Sequence, residues 1–526
     1  MMRSPLLDRF DALATSDAPC VIDDEGARYA YEDVVRAACT VAASLLEAGG
    51  GGGLAGERVA VFVEPGPTFV AAFFGVLLAG GCVVVLSPLH SAAESAFFCD
   101  DANVRTVLVS GAWEARAGTF GGGRRTAVVE SLLAERVGAP PHKARGPLPF
   151  VSADDAALQL YTSGTTGRPK GAVLTHANLG VQQAIVGEAW GLSRTDVLLH
   201  VLPLHHMHGL CIALLNVLGQ GGAARMMRAF DARRVWDAMA EATVFMAVPT
   251  IYQKLFAAFD GASEADRTRW AENARALRLA TSGSAALPVT LAERWRQVTG
   301  RIPLERFGMT EVGVGLSNPL DGERKPGSVG HPLRTVETRV VDESGNDAPV
   351  GELWIAGPSV FREYHGRKDA TATAFVARDG DGERARWFRT GDTVTRDADG
   401  AFRILGRTSV DILKSGGYKL SALEIEEALR EHPSVLEVAV VGVPDETWGD
   451  RVVACVVRRD GAPPVDEAML RAFAKERLAS YKVPKNVLFF EGGDALPRNA
   501  MGKVQKPELA KRAAARIDDR RHEPPT

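Results

Sequence analysis

The chain has 526 residues, a formal net charge of −4 and a sequence pI near 6.3. That balance offers no basic footprint for nucleic acid or for an anionic membrane surface. With 46% hydrophobic and 24% charged residues it can bury large cores, which excludes a disordered chain. At roughly 150 residues per core, the length allows three or four core-sized units.

The opening MMRSPLLDRFDALATSD carries Asp8 and Asp11 and no apolar run. No secretory signal or transit peptide is expected, which predicts a cytoplasmic protein with a mitochondrial or plastid matrix left open. Cys20, Cys39, Cys82, Cys99, Cys211 and Cys455 form no CxxC and no zinc spacing, so buried, reduced thiols are expected. Periodicity predicts a helix over Glu32–Ala48 and a strand over Arg58–Val63. Pro65 to Pro88 carries no charge, and its core FVAAFFGVLLAGGCVVVL is long enough for a membrane span. Gly80-Gly81 divides it, however, into a small-residue helix and a β-branched run, Cys82–Leu86. A buried helix followed by a central parallel strand explains both halves, and no membrane span is expected.

A helix over Ser91–Asn103 and a strand over Arg105–Ser110 continue the alternation, which predicts a parallel, doubly wound sheet. AGGGGG (48–53) and Gly121–Arg125 read as flexible surface insertions. Residues 155–330 alternate in the same way, and beyond Gly345 short strands and turns follow (GELWIAG, WFRTGD, AFRILGR). The last part offers helices over Ala422–Glu431 and Val465–Leu478 and strands over Val435–Val443 and Arg451–Val457. The fold class is therefore α/β: a large N-terminal domain of stacked doubly wound sheets with a short-stranded subdomain (1–406), and a small α+β C-terminal domain (407–526).

YTSGTTGRPKG (161–171) follows the apolar strand Ala157–Leu160. Its glycines let backbone N–H groups turn inward as an anion nest, its hydroxyls add donors and Lys170 adds charge. It is not GxxxxGK[ST], because no Ser or Thr follows the lysine. Thr162, Ser163, Gly164, Thr165, Thr166, Gly167 and Lys170 thus form a candidate phosphate loop. In RFGMTE (306–311), Thr310 and Glu311 set a hydroxyl beside a carboxylate, which suits Mg2+ held jointly with phosphate oxygens. Taken alone, it reads equally well as a loop entering a helix. TGD (390–392) and Gly406-Arg407 read as turns, or as an Asp for ribose hydroxyls with an Arg nearby. Lys503, in LPRNAMGK, reads in isolation as a solvated surface charge. His205, His206 and His208 crowd one turn with no companion ligands, so a metal reading fails.

In this order, from about Ala30 to Leu509, these segments resemble the adenylate-forming superfamily of acyl-CoA synthetases, luciferases and peptide-synthetase adenylation domains. VLPLHHMHGL, VFMAVPTIYQKL, SGSAALP, RFGMTEVGVGLSNP, PGSVGHPL, GPSVFREY and VDILKSGGYKLSALEIEEAL look most like the malonyl-CoA synthetases, including the mitochondrial type of animals. The resemblance implies an AMP-forming ligase that takes malonate, ATP and CoA to malonyl-CoA, AMP and PPi, with Mg2+ and with methylmalonate as a secondary substrate. It implies that residues 162–170 cradle the β- and γ-phosphates, that Glu311 binds Mg2+ and that Thr310 lies near the α-phosphate. Asp392 would hold the ribose hydroxyls with help from Arg407. Gly283 and Ser284, in the Ser282–Ala286 segment, and Phe307 would flank the adenine.

Lys503 would bridge the α-phosphate and the acyl carboxylate. A mobile C-terminal domain would then rotate, withdrawing Lys503 and bringing Lys414–Tyr418 forward, with Gly416 and Gly417 lining a channel for the pantetheine thiol. His206 would gate the acyl pocket, and Met207, His208 and Met309 would line it. Malonate's distal carboxylate needs a cation, for which Arg278 is one candidate and otherwise a strand-edge charge. Two departures stand out: a charged insertion over 377–386, and an Arg407–Gly417 stretch one residue longer than in many relatives, which leaves the hinge open among Ser409, Val410 and Asp411. Rival readings are a ligase for another short, medium-chain or aryl acid, a stand-alone carrier-protein adenylating enzyme, and a nucleotide-binding regulatory protein. The expected partners are small molecules (malonate, ATP and CoA), with a monomer or homodimer and no nucleic acid.

Overall fold

The structure, a computed structural model, describes the chain apart from residues 1, 50–51, 135–147, 163–168, 379–385, 492–495, 499–502 and 523–526, and describes the backbone alone over 519–522. It divides into two compact units. The first comprises Met1–Leu287, Leu291–Thr338 and Ile355–Phe388; the second comprises Pro288–Thr290, Arg339–Trp354 and Arg389–Thr526.

Two sheets organise the first unit. In one, the strands Leu304–Met309, Leu279–Ser282, Val244–Ala247, Val197–His200, Ala223–Met226 and Pro19–Ile22 lie side by side in that order, all parallel. Antiparallel strands close both margins: Gly313–Ser317 and His331–Pro332 on one side, Arg28–Ala30 on the other. The other sheet runs Ala156–Thr162, Cys82–Val85, Arg58–Phe62, Thr106–Val109, Arg125–Val128, again parallel. Lys170–Thr175 adds antiparallel to its first strand, and Glu363–Tyr364 adds antiparallel to Lys170–Thr175. The short apolar runs became strands buried on both faces because helices cover both sides. Period alone did not give the antiparallel margins.

The uncharged stretch folds as expected. Pro67–Leu78 is a helix buried from Phe69 onward, Gly80 makes a left-handed turn (φ 78°), and Cys82–Val85 is a central strand. No helix among the described residues is long and apolar enough to cross a membrane. The helix Ala92–Asp101 starts where Ser91 and Glu94 satisfy each other's backbone donors in a capping box. All six cysteines are buried and unpaired with one another. Gly121–Arg125 departs from the expected flexible insertion. It is a turn leading into the strand Arg125–Val128, pinned by the Arg124 guanidinium on the carbonyls of Val104, Phe120 and Gly121. The charged insertion over 377–386 lies mostly outside the described residues.

In the second unit Val435–Asp445 and Gly449–Arg458 form a long antiparallel pair, joined by the hairpin Ile412–Ser415/Tyr418–Ser421 and, in parallel, by Asn486–Phe489. Strand alternation sends Val438, Val440, Val452 and Val456 to a core shared with Ile425, Leu429 and Leu470. The opposite face sends Val441, Val453 and Cys455 to Leu509, Ala513 and Ile517 of the helix Lys506–His522. Helices thus cover both faces of a small sheet, an α+β arrangement. The strand pair carrying Asp392 and Arg407 belongs to this unit, which resumes in chain order at Arg389.

Candidate active site

Within the first unit, the candidate residues gather at the carboxyl ends of parallel strands, where open α/β sheets bind their ligands. Thr162 ends one strand and pairs with Lys170 in an antiparallel register, so the hydroxyl- and glycine-rich loop is the turn of a hairpin. Ser163, Gly164, Thr165, Thr166 and Gly167 lie outside the described residues. The base of that hairpin is fixed from below. Tyr161 stacks on Phe98 at 4.4 Å and donates its hydroxyl to Asp101 at 2.9 Å, while accepting from Gln159 at 3.0 Å. Arg58 in turn bonds Gln159 and His365, each at 3.0 Å. On the far side of the turn, the Lys170 ammonium lies over the Tyr364 ring, 5.2 Å from its centroid.

The GMTE segment is a hairpin rather than a loop entering a helix: Leu304–Met309 ends in a turn over 310–312 and returns as Gly313–Ser317. Glu311 in that turn is 5% exposed and accepts the Tyr364 hydroxyl at 2.7 Å. A hard carboxylate oxygen hydrogen-bonded to the same tyrosine that faces the Lys170 ammonium is of the kind that would hold Mg2+. Among the described residues no cluster of three His, Cys, Asp or Glu could hold a metal. Thr310 and Met309 are half-buried beside it, and Phe307 is buried one pair further down the strand.

The histidine turn follows the strand Val197–His200 and opens a π-helix, His208–Leu215. The His205 and His206 rings lie 3.9 Å apart, and His90 meets His205 edge-on at 4.8 Å. Burial, then the neighbouring histidines, pushes His205 down to about 2. Burial and then the Arg306 cation hold His208 well below the ordinary imidazole range. His205 and His208 are therefore neutral at physiological pH. His208 Nδ1 meets the Ser284 hydroxyl at 3.2 Å, and Met207 is buried beside it.

Arg306 is the residue the sequence reading passed over. It is 3% exposed, and its Nε and Nη2 have no hydrogen-bond partner among the described residues. Burial pulls it down to about 9, which leaves it a cation at neutral pH. Two glycines make its room: a Cβ on Gly283 would stand 2.5 Å from the guanidinium carbon, and one on Gly308 3.2 Å from Nη1. Ser282 Oγ and His208 Nε2 are likewise buried without partners. Buried polar groups are nearly always paired, so this cluster calls for a ligand. The available signal was strand alternation, which puts Arg306 on the same face as Gly308. Arg278, by contrast, is engaged elsewhere. Its Nε and Nη2 bond both oxygens of buried Asp196 at 2.6 and 2.5 Å, and Nη1 donates to the Trp190 carbonyl at 2.9 Å. It precedes the amino end of Leu279–Ser282, whereas Gly283 and Ser284 follow the carboxyl end.

The second unit holds the remaining candidates. Asp392 and Arg407 are cross-strand partners, with Arg407 Nε 3.2 Å from the Asp392 carboxylate and Nη1 donating to the Thr390 carbonyl at 2.6 Å. Gly416 and Gly417 form the left-handed turn between two strands, and a Cβ at Gly416 would stand 3.1 Å from the Trp448 ring. Lys414 and Lys419 both pair with Glu343, at 3.2 and 3.0 Å. Lys503 is exposed beside the bridge between Arg498 and Val504. Half-buried Lys506 lies between Asp411 and Glu426.

Doubly wound sheets with a buried carboxylate at their carboxyl ends, followed by a small α+β unit, define an adenylate-forming ligase fold. The chain belongs to the AMP-binding enzyme family: that family's model matches residues 9–365, and the model of the AMP-binding enzyme C-terminal domain matches 424–503. It is 39% identical to the mitochondrial malonate–CoA ligase ACSF3 of Mus musculus, over 95% of this chain and 89% of that one. It is 34% identical to ATP-bound MatB from Rhodopseudomonas palustris, with a TM-score of 0.86 over 98% of this chain and 99% of that one. A malonyl-CoA ligase ternary product complex with methylmalonyl-CoA and AMP bound is 37% identical, with a TM-score of 0.65 over 94% of this chain and all (100%) of that one.

Proposed function

We propose that this chain is an AMP-forming malonate–CoA ligase that also accepts methylmalonate. The observation that carries the choice of acid is Arg306, a buried cation with unpaired donors, beside the unpaired Nε2 of His208. If the Ser284 hydroxyl donates to His208 Nδ1, the ring proton sits on Nε2 and adds a further donor. A second carboxylate satisfies these groups, and a monocarboxylate leaves them buried and unpaired. Polar mismatches of that type discriminate by roughly 10⁴-fold, against about 10- to 200-fold for a missing methylene.

A carboxylate is a poor acyl donor because its leaving group would be an oxide. Attack of its oxygen on the α-phosphorus of ATP expels pyrophosphate and leaves AMP as the leaving group for the thiol. The protein's part is positioning and charge stabilisation. Thr162 and Lys170 flank the phosphates, and Glu311 would hold Mg2+, which when bound offsets phosphate charge. Asp392 accepts from the ribose hydroxyls, and Arg407 holds that carboxylate in place. Lys503 neutralises the α-phosphate and acyl carboxylate during adenylation. The domain from 407 onward then rotates, and Gly416 and Gly417 admit the pantetheine thiol. We place the enzyme in the cytoplasm or an organelle matrix, as a monomer or homodimer, which fractionation and light scattering test.

The deciding experiment is kcat/KM over malonate, methylmalonate, acetate, propionate, hexanoate and benzoate, for the wild type and for Arg306→Met. Malonate should lead, with AMP and PPi formed in equal amounts. Arg306→Met should lower malonate turnover by roughly 10³- to 10⁴-fold and erase most of its lead over propionate. A wild-type preference for a monocarboxylate would overturn the malonate reading and leave only the acyl-CoA ligase.

A further inference from the structure

Glu311 sits at the tip of a hairpin turn, a place where backbones are usually loosely held. Here it is tied on both sides to a single helix, His176–Ala189. Gln182, 2% exposed, donates to the carbonyls of Val312 and Val314, both at 3.3 Å, and accepts the Val314 N–H at 2.8 Å. That approach requires glycine at 313, where φ is 74° and a Cβ would stand 2.3 Å from the Gln182 amide carbon. Four residues earlier on the same helix face, Asn178 donates to the carbonyls of Pro358 and Val360 at 2.8 and 3.0 Å. The next residue, Phe361, donates its N–H to the Glu311 carbonyl at 2.7 Å. Three residues further on, Tyr364 donates its hydroxyl to the Glu311 carboxylate and offers its ring face to Lys170.

Lys170 and Glu311 carry opposite charges, and both are needed by the phosphates. A direct ion pair between them would have to break before a nucleotide and its cation could bind. Tyr364 gives each charge a partner of another kind: a π face for the ammonium and a hydroxyl for the carboxylate. We propose that Tyr364 is a positioning residue that orients the Glu311 carboxylate toward a divalent cation and keeps Lys170 from pairing with it, on a backbone frame set by Asn178 and Gln182. The proposal rests on Glu311 being the Mg2+ ligand. Groups that orient a metal's ligands typically change metal affinity by roughly 10- to 100-fold when removed.

The test measures Mn2+ binding by electron paramagnetic resonance in the presence of α,β-methylene-ATP, with Mg2+ half-saturation of PPi–ATP exchange alongside. Tyr364→Phe removes only the hydroxyl. It should weaken Mn2+ binding and raise the Mg2+ half-saturation roughly 10-fold. The melting temperature and thioester formation from supplied malonyl-adenylate should stay near the wild-type values. Tyr364→Leu, which also removes the ring face, should in addition raise the KM for ATP. Gln182→Glu keeps the acceptor for Val314 and loses both donors, and should weaken Mn2+ binding to a lesser degree. If Glu311→Gln weakens Mn2+ binding and Tyr364→Phe does not, the positioning role is overturned while the ligand role stands. If neither variant changes it, the Glu311 reading fails and takes the proposal with it. An unchanged affinity in Gln182→Glu removes the helix frame.

Discussion

Arg278 and Arg306 lie near opposite ends of neighbouring strands, the first half-buried against a buried carboxylate and the second buried itself. Asp196 would be raised by its burial, but the hydrogen bonds from Arg278 and Thr243 outweigh that and hold its carboxyl below the ordinary range. Arg278→Ala should therefore strand a buried carboxylate, at a cost of about 3–5 kcal/mol in denaturant unfolding, and leave the malonate-to-propionate ratio of kcat/KM unchanged. Arg306→Met should do the reverse, collapsing the ratio while stability holds or rises, because an uncompensated buried cation is removed. The sequence made the need for a cation legible but not which arginine is already held by a carboxylate. That depends on whether Asp196, far away along the chain, engages the first of them, and no local pattern carries the pairing.

A second consequence at this scale concerns pH. Burial pulls His176 and His200 down to about 4, whereas in the unfolded chain they titrate near 6.5. Between those values the unfolded state binds more protons, so stability falls as pH falls. The contribution is fully present above pH 6.5 and is lost toward pH 4, roughly 3 kcal/mol per imidazole at the limit. Melting temperatures taken from pH 7 to 4.5 should decline, and His176→Asn with His200→Gln should flatten the slope. An unchanged slope in that double variant would count against the assignment.

At the level of elements, period and turn chemistry located the helices and strands named between Glu32 and Ser110 and between Ala422 and Leu478, because amphipathic and buried runs are local signals. RFGMTE resolved only in three dimensions: a hairpin needs a partner strand for Arg306–Met309, and Gly313–Ser317 supplies it just beyond the motif. The helix Lys506–His522 had no legible role in the sequence either. Its first residue pairs with buried Asp411 and Glu426, whose carboxylates also take the backbone N–H groups of Arg407 and Val440 at 2.9 and 2.8 Å. Burial would lower the Lys506 ammonium, but the two carboxylates outweigh it and raise it above its usual value. Lys506→Met should leave both carboxylates facing each other in a dry site and cost about 3–5 kcal/mol. Adding Asp411→Asn should restore much of that in the same unfolding assay. A neutral Lys506→Met would show that water reaches the cluster.

For the whole molecule, the order of motifs along the chain was the most legible feature, since each motif is a short contiguous run of residues. The division into units was read less sharply. The TGD strand groups with the C-terminal unit through pairings such as Asp392 with Arg407, which composition does not record. The proposed rotation predicts a split between half-reactions. Lys503→Ala should lower malonate-dependent PPi–ATP exchange by roughly 10²- to 10³-fold, the range seen when a single transition-state charge partner is lost. Thioester formation from supplied malonyl-adenylate should remain close to wild type. Equal losses in both would sink the two-pose use of that lysine, and acetylation of Lys503 should copy the alanine by removing its charge.

The burial of all six thiols turns them into clocks for opening. Alkylation requires the thiolate, and burial pushes Cys99 up to about 11 and Cys82 and Cys455 up to about 12. A folded molecule should thus be nearly silent to iodoacetamide, each thiol reacting only during the moments when its surroundings come apart. Cys455 belongs to the second unit and the other five to the first. Site-resolved labelling by mass spectrometry, in mild denaturant, should then read two separate opening rates from one sample. Addition of ATP and malonate should slow Cys82 and Cys211, in the unit that carries the phosphate loop and Arg306. A common rate at all six would mean that the two units open together.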